Sequence, residues 1–150
     1  MLDGRTDALV VFGATGDLAR LETFPALVGL VDRGVLDAPV IGVAKSGWDL
    51  HRFRDYAARS LRENRVDPGA PAAAAMLGLL RYVDGDLDDD ATYAAMAREM
   101  GEARRALYYL EVPPFLFGRI AAGVSGVGRA EGVRVMVEKP FGATWKAPSP

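Results

Sequence analysis

The stretch Val10-Val11-Phe12-Gly13-Ala14-Thr15-Gly16-Asp17-Leu18-Ala19-Arg20 sets two glycines and a small residue at three-residue intervals directly after an apolar run. That spacing suits anion binding by the main chain. Gly13 can take a backbone conformation closed to other residues, Gly16 has no Cβ to hold off a diphosphate, and Ala19 lets a following helix lie close to a sheet. The helix would open with unpaired N–H groups and the positive end of its dipole facing the anion. The pattern is a Gly-x-x-Gly-x-x-Ala variant of the dinucleotide fingerprint. Glycine-rich strand-to-helix turns also arise for purely geometric reasons.

Two cations stand where ligand chemistry is expected. Lys45 follows the apolar strand Val40 to Ala44; an acid at that point would bond a ribose 2′-OH, whereas a cation suits a 2′-phosphate. Asp32 and Asp37 fall near the usual offset for such an acid but belong to a helix end and a loop, so the reading favours NADP over NAD. The plain alternative is a solvated lysine. Lys139, in Glu138-Lys139-Pro140, can hold a phosphate or a sugar hydroxyl on a loop stiffened by proline; the alternative there is a charged loop cap.

Other chemistries fail on their own terms. His51, the only histidine, lies on the polar flank of a helix and is not a general base. Asp84 to Asp90 resembles a calcium loop, but an EF-hand register starting at Asp84 needs glycine at Asp89 and glutamate at Ala95. No Gly-Lys-Ser/Thr follows the turn, which excludes a P-loop. Tyr56, Tyr82, Tyr93, Tyr108 and Tyr109 all lack the lysine four residues on that a Tyr-x-x-x-Lys catalytic pair needs.

The elements that would position these residues alternate. Strands are expected at Ala8 to Phe12, Pro39 to Ala44, Leu80 to Val83, Arg105 to Leu110 and Val133 to Val137. A helix follows the turn, with Phe24, Leu27, Val28 and Val31 at helical spacing; Pro25 predicts a break near its start, with Thr23 as N-cap and Arg33-Gly34 as its end. Trp48 to Glu63 predicts a helix capped by Asp49, with Leu50, Phe53, Ala57 and Leu61 inward and Arg52, Arg54, Asp55, Arg59 and Arg62 in solvent. Val66 to Ala75 reads as a linker into a short helix at Met76 to Leu79. Ala91 to Met100, started by Asp90, and the Leu116, Ile120, Val124 stripe complete the helices. The expectation is an α/β, doubly wound, Rossmann-type parallel sheet with helices on both faces and ligands beyond the strands' carboxyl ends.

The bulk numbers agree with one domain. The chain has 150 residues, half of them hydrophobic, a net charge of −2 and no cysteine. These argue against a nucleic-acid module, a disulfide framework, a thiolate metal site or a Cys nucleophile. The polar start is no signal peptide, and no apolar run nears the ~20 residues that span a membrane; a cytoplasmic protein is expected.

Gly13-Ala14-Thr15-Gly16-Asp17-Leu18-Ala19, Pro25, Gly42-Val43-Ala44-Lys45-Ser46, Tyr109-Leu110-Glu111-Val112-Pro113-Pro114 and Glu138-Lys139-Pro140-Phe141-Gly142 together resemble the amino-terminal domain of the glucose-6-phosphate dehydrogenases. The resemblance implies an NADP-dependent oxidoreductase passing hydride from C1 of glucose 6-phosphate to NADP⁺, the first step of the pentose phosphate pathway. It implies that Gly13, Ala14, Thr15, Gly16, Asp17, Leu18, Ala19 and Arg20 wrap the cofactor diphosphate, that Lys45 meets the 2′-phosphate in place of the usual arginine, with Ser46 beside it among the cofactor-binding residues, that Tyr109 and the following loop flank the nicotinamide side, and that Lys139 touches both cofactor and sugar phosphate. The family is usually homo-oligomeric, through contacts mostly outside this domain.

Three departures stand out. Glu22 occupies the position of a family lysine that helps hold substrate. The family's catalytic Asp-His-Tyr-Leu-Gly-Lys-type motif lies downstream of Glu138 to Gly142 and is not in this sequence. Residues 143–150 do not look like the usual next helix. The expected organisation is therefore a dinucleotide-binding domain over 1–142, an atypical tail over 143–150 and no catalytic second domain, so that no catalytic residue is assigned. A non-catalytic NADP-binding or regulatory module, or a Rossmann oxidoreductase for another sugar phosphate, are the alternatives.

Overall fold

The computed structural model describes residues 6–129 together with the strand backbones of 134–138 and 144–146. Its elements are β1 (Ala8–Phe12), a π-helical turn (Ala19–Thr23), α1 (Phe24–Asp32), β2 (Val40–Ala44), α2 (Leu50–Glu63), α3 (Pro71–Leu79), β3 (Leu80–Asp84), α4 (Asp90–Met100), β4 (Ala106–Leu110), a 3₁₀ turn (Pro114–Leu116), α5 (Phe117–Gly126), β5 (Arg134–Glu138) and β6 (Thr144–Lys146).

The strands form one sheet in the order β3-β2-β1-β4-β5-β6. The first five are parallel, with β1 central and registered Val10 to Ile41 on one side and Val10 to Tyr108 on the other. All five residues of β1 are buried, as expected of a strand covered on both faces. Their side chains alternate. Leu9 and Val11 join Phe24, Phe53, Leu61 and Met76 beneath α1, α2 and α3. Ala8, Val10 and Phe12 join Tyr93, Met96, Ile120 and Val124 beneath α4 and α5. The doubly wound arrangement is thus present.

Several details depart from the expectation. β6 runs antiparallel against β5, pairing Met136 with Lys146, so the segment read as an atypical tail closes the sheet edge with a strand. The alanine run is helical from Pro71: Ala70 is extended, and proline at the first helical position lacks only an N–H that would have had no intrahelical acceptor. Helix α4 does start at Asp90, and its cap is the residue before, Asp89, whose side chain accepts from the Ala91 amide at 2.9 Å. Arg54 is half-buried, not solvated, and donates to the Leu80 carbonyl at 3.2 Å.

The break at Pro25 is real but differs in kind. Phe24 N–H bonds the Ala19 carbonyl, five residues back. A proline ring clashes with the carbonyl four residues before it, here that of Leu21, and widening the turn relieves that contact. Thr23 is helical in conformation and makes no side-chain cap; its hydroxyl donates instead to the Glu111 carboxylate.

Candidate functional site

The carboxyl ends of β1, β2, β3 and β4 lie side by side, and the site is built from the loops that leave them. After β1, Gly13 N–H donates to Val43 O at 2.9 Å, tying the turn to the end of β2. Gly13 has φ +84°, and a Cβ there would stand 2.3 Å from the Glu111 carbonyl oxygen. The fold itself therefore demands this glycine.

Gly16 is different. Its φ is not in the left-handed range, and a Cβ would meet only Gly13 O, at 3.5 Å. Nothing in the protein's own packing needs a glycine at this position. A missing Cβ that the packing does not use leaves room for something approaching from outside, at the mouth of a helix whose leading amides have no intrahelical acceptor. The residues present thus fit a diphosphate.

The turn is braced from α2. The Gly16 carbonyl accepts from the Tyr56 hydroxyl at 3.0 Å and from Arg20 N–H at 3.2 Å. Arg20 pairs with Glu63 at 2.7 Å and Asp17 at 3.3 Å, and hydrogen bonds to Asp17 and then Glu63 raise its pKa further. Its carbonyl accepts from Ser60 Oγ and from Asn64 Nδ2. Ala14 is buried, Ala19 is packed in the core, Leu18 is half-buried and Asp17 is exposed.

After β2 come Lys45 and Ser46. The Ser46 and Thr15 hydroxyls are 2.6 Å apart, bridging the two strand ends. The loop is gripped by Asp84 at the end of β3: Oδ1 accepts from Ser46 N–H and Gly47 N–H, each at 2.9 Å, and from the Tyr82 hydroxyl at 2.7 Å. Partial burial would lift the Asp84 pKa, but these donors outweigh it and hold the carboxyl below its ordinary range. Burial also pushes the Tyr82 phenol well up, aided by its bond to Asp84. Lys45 Nζ pairs with Asp86 Oδ2 at 3.0 Å.

Tyr109 is half-buried on β4, registered with Val11 of β1 and Met136 of β5, and packs on the α1 side of the sheet. Lys139 lies outside the described residues. Gly13 to Arg20, Lys45 and Ser46 are brought to one edge, with Tyr109 one strand away. His51 is exposed on α2, 3.4 Å from Asp55.

Sequence reasoning put the ligand beyond the strands' carboxyl ends, where Asp84 and Glu111 stand, but gave those two no role, and it did not bring Tyr56, Asp86 or Thr23 to this edge. Asp84 and Glu111 had a usable signal, since each stands at or just beyond the carboxyl end of a strand. Tyr56 had none, because its partner is a main-chain carbonyl forty residues away.

Known proteins share this arrangement. The family model described as glucose-6-phosphate dehydrogenase, NAD binding domain, matches residues 10–148. Glucose-6-phosphate 1-dehydrogenase 1 of Mycobacterium bovis is 42% identical over 140 residues, covering 93% of this chain and 30% of that protein. The solved glucose-6-phosphate 1-dehydrogenase from Mycobacterium avium superposes with a TM-score of 0.82 at 39% identity, over 91% of this chain and 30% of that one. A solved glucose-6-phosphate dehydrogenase in complex with its substrate glucose-6-phosphate gives 0.76 at 27% identity, over 94% and 31%. The chain therefore spans about 30% of the length of the relatives it matches. Among the described residues no helix is long and apolar enough to cross a membrane. With the glycine turn, the braced β2 end and nearly its whole length inside the match, the chain belongs to the glucose-6-phosphate dehydrogenase NAD-binding domain family.

Proposed function

We propose that this chain is the NADP-binding domain of a glucose-6-phosphate dehydrogenase-like oxidoreductase. The observation that carries the reading is Gly16, a glycine that neither backbone conformation nor packing requires, at the mouth of a helix. Gly13, Ala14, Thr15, Gly16, Asp17, Leu18, Ala19 and Arg20 hold the diphosphate through main-chain amides and a helix N-terminus. Lys45 and Ser46 receive the 2′-phosphate. Tyr109 lines the nicotinamide side, and Lys139 contacts both cofactor and sugar phosphate.

NADP⁺ supplies the acceptor for the hydride that leaves C1 of glucose 6-phosphate. The residues described above bind and orient; none is placed to take the C1 hydroxyl proton, and His51 is committed to a solvent-facing pair on α2. The 150-residue chain on its own therefore binds cofactor without turning substrate over.

The exposed Glu22 favours a second reading, a related dehydrogenase for another sugar phosphate, because a carboxylate where the family carries a lysine repels a phosphate.

Thermal unfolding with graded NADP⁺ or NAD⁺ tests the proposal. A ligand bound only by the native state raises the midpoint in step with its concentration over Kd. Both dinucleotides are expected to raise it, NADP⁺ more. No shift with either would refute cofactor binding, and a Lys45→Ala variant that left the difference between the two dinucleotides unchanged would refute the assignment of the 2′-phosphate to Lys45. NADPH formation from glucose 6-phosphate by the pure chain would refute its expected inactivity.

A further inference from the structure

The cation assigned to the 2′-phosphate already has an anionic partner. Lys45 Nζ lies 3.0 Å from Asp86 Oδ2, and what holds Asp86 there is independent of Lys45. Gly85 N–H donates to Ala44 O at 2.9 Å, hooking the loop after β3 to the end of β2. The Asp86 carbonyl accepts from Thr92 Oγ1 at 2.6 Å, and Asp86 Oδ1 accepts from Asp88 N–H at 2.9 Å. A Cβ on Gly85 would stand 2.3 Å from Thr92 Oγ1, so the loop is pressed against α4. Asp86 is thus fixed by main-chain and hydroxyl contacts with one carboxylate oxygen left to face Lys45.

A fixed carboxylate beside that ammonium discriminates between the two dinucleotides. A phosphate brought to Lys45 arrives next to a like charge and displaces an existing partner. A bare ribose hydroxyl instead donates to the carboxylate, which is what acids near this strand end do in NAD-preferring folds. We propose that Asp86 is a specificity-determining residue that lowers the preference for NADP⁺ over NAD⁺ at the Lys45 subsite, so that the chain accepts both. The Asp88 amide, and then Lys45, hold the Asp86 carboxyl below its ordinary range, so its charge is present at neutral pH. The inference rests on the dinucleotide reading above.

The test is calorimetric titration of the 150-residue chain with NADP⁺, NAD⁺, 2′,5′-ADP and 5′-ADP, for the native protein, Asp86→Asn, Asp86→Glu and Lys45→Ala. Asparagine still accepts from the Asp88 amide, and Asp86→Ser, which also forms such a turn, serves as a second neutral variant. Removing the charge is expected to raise the NADP⁺/NAD⁺ affinity ratio by roughly three- to tenfold, the scale of one like charge at this range in an exposed site. The 2′,5′-ADP/5′-ADP ratio should rise with it, glutamate should restore the native ratio, and adding Lys45→Ala should abolish most of the gain. A purely structural role for Asp86 would weaken all four ligands alike. Binding of both dinucleotides with an unmoved ratio overturns this inference alone; absence of binding by any protein overturns the dinucleotide reading and this inference together.

Discussion

Thr15 Oγ1 lies 2.6 Å from Ser46 Oγ, and this bond joins the loops leaving the neighbouring strands β1 and β2, where the cofactor is proposed to bind. Thr15→Val keeps the side-chain shape and removes the bond. Urea unfolding should register a loss of about 0.5–1.5 kcal/mol, the net worth of one such hydrogen bond. NADP⁺ affinity should fall with it, because Ser46 loses its tether beside Lys45.

Gly13 and Gly16 should respond oppositely to alanine. Gly13→Ala meets both the left-handed backbone and the Glu111 carbonyl 2.3 Å from its new Cβ. A stability loss of about 2–4 kcal/mol is expected. Gly16→Ala should unfold within about 0.5 kcal/mol of the native chain, as an uncrowded substitution does, yet lose most of its stabilisation by NADP⁺. If Gly16→Ala kept full ligand-induced stabilisation, the diphosphate would not sit at this corner.

Helix α5 offers a paired control away from the site. A Cβ at Gly123 would fall 2.5 Å from the Tyr93 ring, which is held by a bond to Leu87 O and lies 5.0 Å from the Arg119 guanidinium. Gly123→Ala should cost about 1–3 kcal/mol by overpacking. At Gly118 nothing lies within 4 Å of the new methyl, so Gly118→Ala should add roughly 0.5–1 kcal/mol by cutting backbone entropy in the unfolded chain. Chemical denaturation of the two variants separates the cases.

Alkaline pH should weaken the fold. Burial pushes the Tyr108 phenol up to about 12, against about 10 in an unfolded chain. A pKa raised in the folded state contributes stability that is complete below the unfolded value and disappears as pH climbs through the folded one. The unfolding free energy should therefore decline from about pH 10 towards pH 12. Tyr82, Tyr93 and Tyr56 are shifted the same way. Urea midpoints measured across this range should fall less steeply for Tyr108→Phe than for the native chain; identical slopes would remove Tyr108 from the account.

The order of strands and helices was legible because buried strands such as Leu9 to Phe12 and Val40 to Ala44 are continuous apolar runs, and helices such as Leu50 to Glu63 keep a clear period. The glycine turn was legible because its residues are adjacent in sequence. What escaped notice joins residues far apart: Tyr56 with Gly16, Asp84 with Ser46, Lys45 with Asp86. No local pattern encodes such pairs. Pro71 misled differently, since alanine and proline suggest a linker until one sees Met76 and Ala73 fully buried in the core shared with α1 and α2. At Thr23 the capping rule lost to a tertiary acceptor, Glu111.

The π turn between the glycine corner and α1 carries one residue more than a continuous α-helix would need. That surplus uncouples the angular setting of its two ends. Asp17 and Leu18 can be aimed at a ligand while Phe24 and Leu27 stay seated in the core. Deleting any one residue of 19–23 would rotate one end against the other by about 100°, so this short segment works as a gear whose tooth count the domain has to keep.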